Sequence, residues 1–439
     1  MNRRSFLQTL GSLTTLPIGL HAEDSPRSQP PQRTKAPQKK LAVVTSVYKY
    51  LSHSYHICGR FLNGYLLPDG QYHFPSSGIA SCYVDQIPAE DLSGDLSKKH
   101  QFRRAKTIEE ALTLGTGQLA VDGVLLICEH GEYPYNGKQQ KLYPRYEMFQ
   151  KIVEVFRKSG RSVPVFCDKH LSYDRHKAAK MVATSAELKF PMLAGSSLPV
   201  TWRRPELDLP LGTKMEEALV ASRGELEIYG IHALEALQCM VERRFSSPAE
   251  TPPNQGVRKV QCLVGDAVWK AGDAGQWSWK LLEAALSRSS SRNNGDIKEN
   301  CQQWMKTGLR NKDLNQSPVV FLIEYNDGLK ATILQLDGHV ADETFAAKLA
   351  GQEKPVSTLF WLPPPPGAAF LEALAIQVEK FMDTGKPTYP VQRTQLTGSI
   401  LDYALESRSK AGQVQKVEDL NIAYYPPEDS GFMRGDYAR

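Results

Sequence analysis

Between residues 41 and 195 five short apolar runs recur, each separated from the next by a segment of helical character: 41–46 (LAVVTS), 79–84 (IASCYV), 123–128 (GVLLIC), 163–167 (VPVFC) and 191–194 (PMLA). Runs that are apolar over their whole length, with no polar alternation, suit strands buried on both faces, as in a parallel sheet with helical crossovers. The intervening segments 52–67, 108–114, 143–159 and 174–188 predict those helices, with Ser52 or Ser54 capping the first and a turn-rich insertion at 68–78. Right-handed crossovers gather the carboxyl ends of such strands at one edge, where ligands bind. Here that edge comprises Thr45-Ser46, Asp85-Gln86, Glu129-His130, Asp168-Lys169 and Gly195-Ser196.

After residue 205 the pattern changes. It predicts a helix over 232–243, a strand over 257–266, a helix over 279–286, a polar loop over 287–300, and strands over 319–325 and 331–336 joined by the hairpin turn Asn326-Asp327-Gly328. Helices at 370–383 and 393–408, with an extended stretch 385–391 between them, close the chain. At 439 residues two domains are expected. The predicted fold is α/β: a Rossmann-type parallel sheet over 41–205, then an α+β domain over 206–410 with an open, mainly antiparallel sheet and the closing helices 370–408, then a tail at 411–439. An exposed face of that second sheet would serve a ligand or an interface, so a homo-oligomer is expected.

The amino terminus reads as a targeting segment. Arg3-Arg4-Ser5-Phe6-Leu7, a mildly apolar stretch to Leu20 and an end at Ala22 resemble a twin-arginine signal over 1–22, and 23–40, rich in Pro, Ser, Gln and Lys, reads as a disordered linker. The expectation is an exported, periplasmic or otherwise extracytoplasmic protein, carried folded by the twin-arginine machinery. Beyond the leader no run approaches the roughly 18 apolar residues of a membrane helix. A net charge of +5 is too small a bias to argue for nucleic acid or a membrane surface as partner. The seven cysteines form no CxxC pair and no metal-ligand spacing, which predicts buried thiols rather than disulfides.

Residues 162–172, Ser-Val-Pro-Val-Phe-Cys-Asp-Lys-His-Leu-Ser, resemble the strand and Glu-Lys-Pro-Leu turn of the glucose-fructose oxidoreductase/inositol dehydrogenase (Gfo/Idh/MocA) family, with Asp168-Lys169-His170-Leu171 in that place. Tyr229-Gly230-Ile231-His232 is similar to the family's helix start bearing the catalytic histidine, and 370–387 with 399–407 to its closing helices. The resemblance implies NAD or NADP as cofactor and a sugar, polyol or related carbohydrate as substrate. Lys169 and His232 would be the catalytic pair, the lysine favouring alkoxide development and the histidine taking the proton. Thr45, Ser46, Asp85, Glu129, His130, Asp168 and Lys169 would face the cofactor, Asp85 taking a ribose hydroxyl.

Besides the shorter acid Asp168 and His170 in place of the family's Pro, two departures weigh against the enzyme reading. The turn Thr45-Ser46-Val47-Tyr48-Lys49-Tyr50 contains no glycine where a dinucleotide fingerprint needs one, and Ile228 stands where the family has an Asp four residues before the histidine. These departures keep open an alternative: a non-redox or non-catalytic binding or assembly protein on the same fold. No metal is expected, because Glu129, His130, Asp168, His170 and His232 have no ligand spacing and His130 suits a hydrogen bond to its own loop. In Ser52-His53-Ser54-Tyr55-His56, capping explains the serines and a solvated helix face explains the histidines.

Overall fold

The computed structural model describes residues 31–437 apart from 247–250, 308–315, 364–367 and 369. The leader expected at 1–22 lies outside the described residues. The end of the expected linker does not behave as one. Arg33 donates to the carbonyls of Pro75 and Phe61 at 2.7 and 2.9 Å, and Lys39 already belongs to the first strand.

The first half runs β1 (Lys39–Thr45), α1 (His53–Asn63), a small hairpin of β2 (Tyr65–Leu66) and β3 (Tyr72–His73), β4 (Ser77–Val84), α2 (Ser93–His100), β5 (Arg103–Ala105), α3 (Ile108–Thr113), β6 (Gly123–Ile127), α4 (Arg145–Ser159), β7 (Val165–Asp168), α5 (Arg175–Glu187) and β8 (Met192–Gly195). All six sheet strands are parallel, in the order β5-β4-β1-β6-β7-β8. This is the doubly wound Rossmann order, in which the direction of winding reverses between β1 and β6 and a crevice opens above that point. Leu41 to Val44 and Val124 to Ile127 are wholly buried, as strands covered on both faces must be. One face packs on α3, α4 and α5. The other packs on α1 and, from far along the chain, on α10 (Phe370–Thr384), whose Leu371, Leu374, Val378 and Phe381 lie against Leu41, Val43 and Leu125. The first predicted helix stops at Asn63 rather than 67, because Gly64 takes φ 77° and turns the chain into the hairpin.

The second half contains β9 (Trp202–Arg204), β10 (Met215–Ser222), α6 (Leu226–Val241), β11 (Val257–Val264), α7 (Asp266–Asp273), α8 (Trp279–Leu286), α9 (Ile297–Thr307), β12 (Val319–Tyr325), β13 (Lys330–Gln335), β14 (Glu343–Leu349), β15 (Val356–Trp361), α11 (Gln392–Ser409) and β16 (Gln415–Lys416). Its eight strands follow the order β16-β11-β12-β13-β10-β14-β15-β9. Among the described residues only β10 and β13 run parallel, every other pairing is antiparallel, and the sheet does not close. On one side lie α6 and α11. The other side, expected to be exposed, is covered: Trp269, Trp277, Leu281, Leu282 and Cys301 of α7 to α9 and their connection pack on Leu219, Val320, Leu334 and Ala346. The segment after 410 also joins the core, through Val417, Leu420, Ile422 and Tyr424.

Helix α6 begins at Leu226, not at His232, so the histidine sits inside a helix rather than at its start. Gly230 is tolerated there because Leu401 and Phe321 press against its Cα, leaving only 3.0 and 3.3 Å to where a Cβ would stand. Between α6 and α11, Arg393 donates to both oxygens of Glu242, and Tyr424 adds a third donor at 2.9 Å, all fully buried. Among the described residues no helix is long and apolar enough to cross a membrane, and all seven cysteines are buried and unpaired.

Candidate functional site

Above the reversal point, between the strand ends and helix α6, lies a cavity of about 310 Å³, at the lower end of the roughly 300 to 1,000 Å³ that small-molecule sites occupy. Its walls include Glu129 and His130 after β6, Asp168 and Lys169 at the end of β7, His53 and His56 of α1, and Tyr229 and His232 of α6. Arg223 and Glu343 reach it from the second sheet. Five residues singled out in the sequence, Glu129, His130, Asp168, Lys169 and His232, thus share one space. Thr45, Ser46 and Asp85 do not line it.

The strand ends hold a buried chain of charges. Glu129 pairs with Arg145 of α4 and lies 3.7 Å from the Lys169 ammonium. Burial alone would raise its carboxyl pKa; the charges of Lys169 and Arg145 outweigh that and hold it down at about 2. Lys169 also donates to the carbonyl of Ile228 at 3.2 Å. The position that lacks the family's Asp side chain therefore still contacts the lysine, through its main chain. His130, held at φ 68°, donates its N–H to the Tyr143 hydroxyl at 3.2 Å. Burial and the neighbouring His53 lower its pKa.

His232 is half-buried, and its enclosed Nδ1 has no hydrogen-bond partner. Burial first, and then the charges of Lys169 and His53, push its pKa well below the usual imidazole range, so the ring is neutral. Across the cavity His53 places Nδ1 2.6 Å from Oδ2 of Asp168. Glu343 opens β14 with one carboxyl oxygen unpartnered and Arg223 4.0 Å from the other, and burial raises its pKa to about 7. Neither Glu343 nor Arg223 stood out in the sequence.

The remaining expected cofactor residues are engaged within the chain. Thr45 Oγ1 donates to the Val47 carbonyl at 3.1 Å and meets Ser54 Oγ at 2.5 Å. Ser46 Oγ donates to the Glu129 carbonyl at 2.8 Å, tying the β1 turn to the end of β6. Asp85 accepts from Tyr83 at 3.1 Å and Tyr133 at 2.8 Å, while Gln86 exchanges two hydrogen bonds with the backbone of Glu132. Ser52 caps α1 by accepting from the Tyr55 N–H, as its residue type predicts. Among the described residues no group of three or more His, Cys, Asp or Glu side chains is arranged to hold a metal ion.

With this geometry in hand, solved structures offer a comparison. A probable dehydrogenase from Thermotoga maritima superposes over 87% of this chain and 99% of its own, with TM-score 0.51 and 13% identity. The chain shares the fold of that protein. GenD2 from gentamicin A biosynthesis, solved in complex with NAD, matches over 88% of this chain and 99% of its own, with TM-score 0.52 and 14% identity. Myo-inositol dehydrogenase from Lactobacillus casei, solved with NAD(H) and myo-inositol, covers the same shares with TM-score 0.52 and 9% identity. At such identities the likeness establishes the fold alone. No protein-family profile matches the sequence, and no curated protein matches it.

Proposed function

We propose that the protein is an NAD(P)-dependent oxidoreductase of the Gfo/Idh/MocA type acting on a small polyol, sugar or related carbohydrate. One observation carries the reading: Lys169 from the central parallel sheet and His232 from the second half face the same cavity at the carboxyl edge of the strands. The solved neighbours that hold NAD(H) and myo-inositol support the cofactor and substrate classes.

The residues present fit a nicotinamide dinucleotide. The cavity accepts the nicotinamide with a small substrate, and Lys169 and His232 line it as polar groups for the substrate oxygen. A helix start leaves its first amides without partners, which at α1 are those of His53 and Ser54, and such amides suit a phosphate. Asp85 stands at the end of β4 for a ribose hydroxyl. Its hydrogen bonds to Tyr83 and Tyr133, and those of Gln86 to Glu132, lie at the surface and would exchange for the ligand's.

When bound, such a cofactor supplies the hydride acceptor or donor. Lys169, pinned between Glu129 and the Ile228 carbonyl, is aimed to place positive charge on a substrate oxygen as negative charge develops on it. Neutral His232 orients the same oxygen by hydrogen bonding. Leu198, Phe370, Leu371 and Leu374 form an apolar wall that limits water.

Titration of the purified protein with NAD(H) and NADP(H), followed by energy transfer from tryptophan to the reduced nicotinamide, tests the reading. Saturable binding of one pair is expected. Binding of neither at millimolar concentration would remove it in favour of a second reading, a non-redox or binding protein on this scaffold, which the internal engagement of Thr45, Ser46 and Asp85 favours. Export through the leader at 1–22, with cofactor acquired in the cytoplasm, belongs to the same proposal.

A further inference from the structure

The cavity contains a second histidine whose setting is the reverse of that of His232. His53, in the first turn of α1, hydrogen-bonds through Nδ1 to the carboxylate of Asp168 at 2.6 Å. The Asp168 side chain is 2% exposed and the His53 side chain 23%. A buried carboxylate against one ring nitrogen fixes the tautomer, putting the hydrogen on Nδ1 and leaving Nε2 as a lone-pair acceptor. The same carboxylate stabilises the imidazolium that forms when Nε2 takes a proton. The Asp168 contact is the ring's one hydrogen bond among the described residues, and the ring lines the cavity beside Lys169.

His232 has no such support. Ile228 stands one helical turn before it, and the charges that weigh most on it after burial are those of Lys169 and His53. Of the two rings, only His53 has a carboxylate in hydrogen-bond contact to orient it. The carboxylate–imidazole pair missing within α6 has been assembled from α1 and β7 instead.

We propose that His53, positioned by Asp168, is the catalytic base that removes the hydroxyl proton of the substrate, while Lys169 and His232 bind the same oxygen. The proposal rests on the oxidoreductase reading. Oxidation of a secondary alcohol breaks a C–H and an O–H bond and forms C=O. The hydride passes to the oxidised nicotinamide dinucleotide, and the proton passes to Nε2 of His53. In reduction both return, so each direction balances with one dinucleotide and one proton. Asp168 makes no bond to substrate and acts as a positioning residue.

The test begins with two-bond ¹⁵N–¹H spectra of the full chain labelled at histidine, in which the signal lost in His53→Gln is that of His53. The expected spectrum shows protonated Nδ1 and bare Nε2 at His53, and the opposite tautomer in Asp168→Asn. With the cofactor that the titration selects and myo-inositol as first probe substrate, His53→Gln should bind the dinucleotide within about threefold of wild type. Its turnover should fall by about 10² to 10⁴-fold, the usual worth of a positioned base. Asp168→Asn should fall similarly. A wild-type His53 protonated on Nε2, or a His53→Gln protein turning over at the wild-type rate, overturns the proposal. The tautomer spectrum needs no dinucleotide, so a protein that binds none removes the oxidoreductase reading separately from the dyad.

Discussion

Replacing Glu129 by Gln removes the anion that faces both Lys169 and Arg145 at the end of β6, without changing the side chain's shape. In the folded protein the carboxyl titrates near 2 rather than 4.5. A depression of that size contributes roughly 3 kcal/mol of stability, present above the unfolded value and lost as pH falls through the folded one. The sign follows from proton counting: between the two pKa values the unfolded chain holds the proton and the native state does not, so acid favours unfolding. Glu129→Gln should therefore be less stable than wild type at pH 7 by about 3 kcal/mol, a little below what breaking a buried pair usually costs. At pH 3 more than half of that gap should have closed, because the unfolded wild-type chain has by then taken up the proton that the native state still excludes. Urea unfolding followed by circular dichroism at both pH values measures the two gaps, and the other carboxylates cancel between the variants. A gap of equal size at pH 7 and pH 3, or none at pH 7, would refute the assignment of Glu129 as the ionised partner of Lys169 and Arg145.

Glu343 should show the opposite dependence: its carboxyl titrates near 7, so the native state holds a proton that the unfolded chain has released, and stability falls as pH rises from 4.5 through 7. Glu343→Gln should unfold at higher urea than wild type at pH 8, by up to roughly 3 kcal/mol, and match it at pH 4. Replacing Arg3 and Arg4 together by lysine should hold the protein in the cytoplasm of a producing bacterium, read by fractionation and immunoblotting; unchanged export would remove the twin-arginine expectation.

The parallel sheet was legible because its strands are buried on both faces and advertise it by composition. Leu41 to Val44 or Val124 to Ile127 admit no polar residue. Strand β10 begins Met-Glu-Glu and β14 carries Ala-Ala-Lys, so neither makes a run that stands out; both acquire their strand character from neighbours. Helix α2 (SGDLSKKH) and helix α9 with its Ser- and Asn-rich approach lack an apolar stripe long enough to separate them from loops. The start of α6 was misplaced because Gly230 reads as a break until Leu401 and Phe321 are seen to need the space. At the site, Lys169 and Glu129 were found because strand ends are positions that a sequence pattern can place. His53 was assigned to a solvated helix face, since nothing local indicates that Asp168, 115 residues onward, will be beneath it. Glu343 and Arg223 depend on two strands, β14 and β10, that were themselves invisible.

Helices α7 to α9 lie against a side of the second sheet that would otherwise show Leu219, Val320, Leu334 and Ala346 to water. Had that side been left bare, a second molecule would have been needed to shelter it, and the finished structure would have depended on how often two chains meet. Here the shelter arrives on the same polypeptide, within some 40 residues of β11. Completing this half is thus a first-order event, as feasible for one molecule in a large volume as for many in a small one.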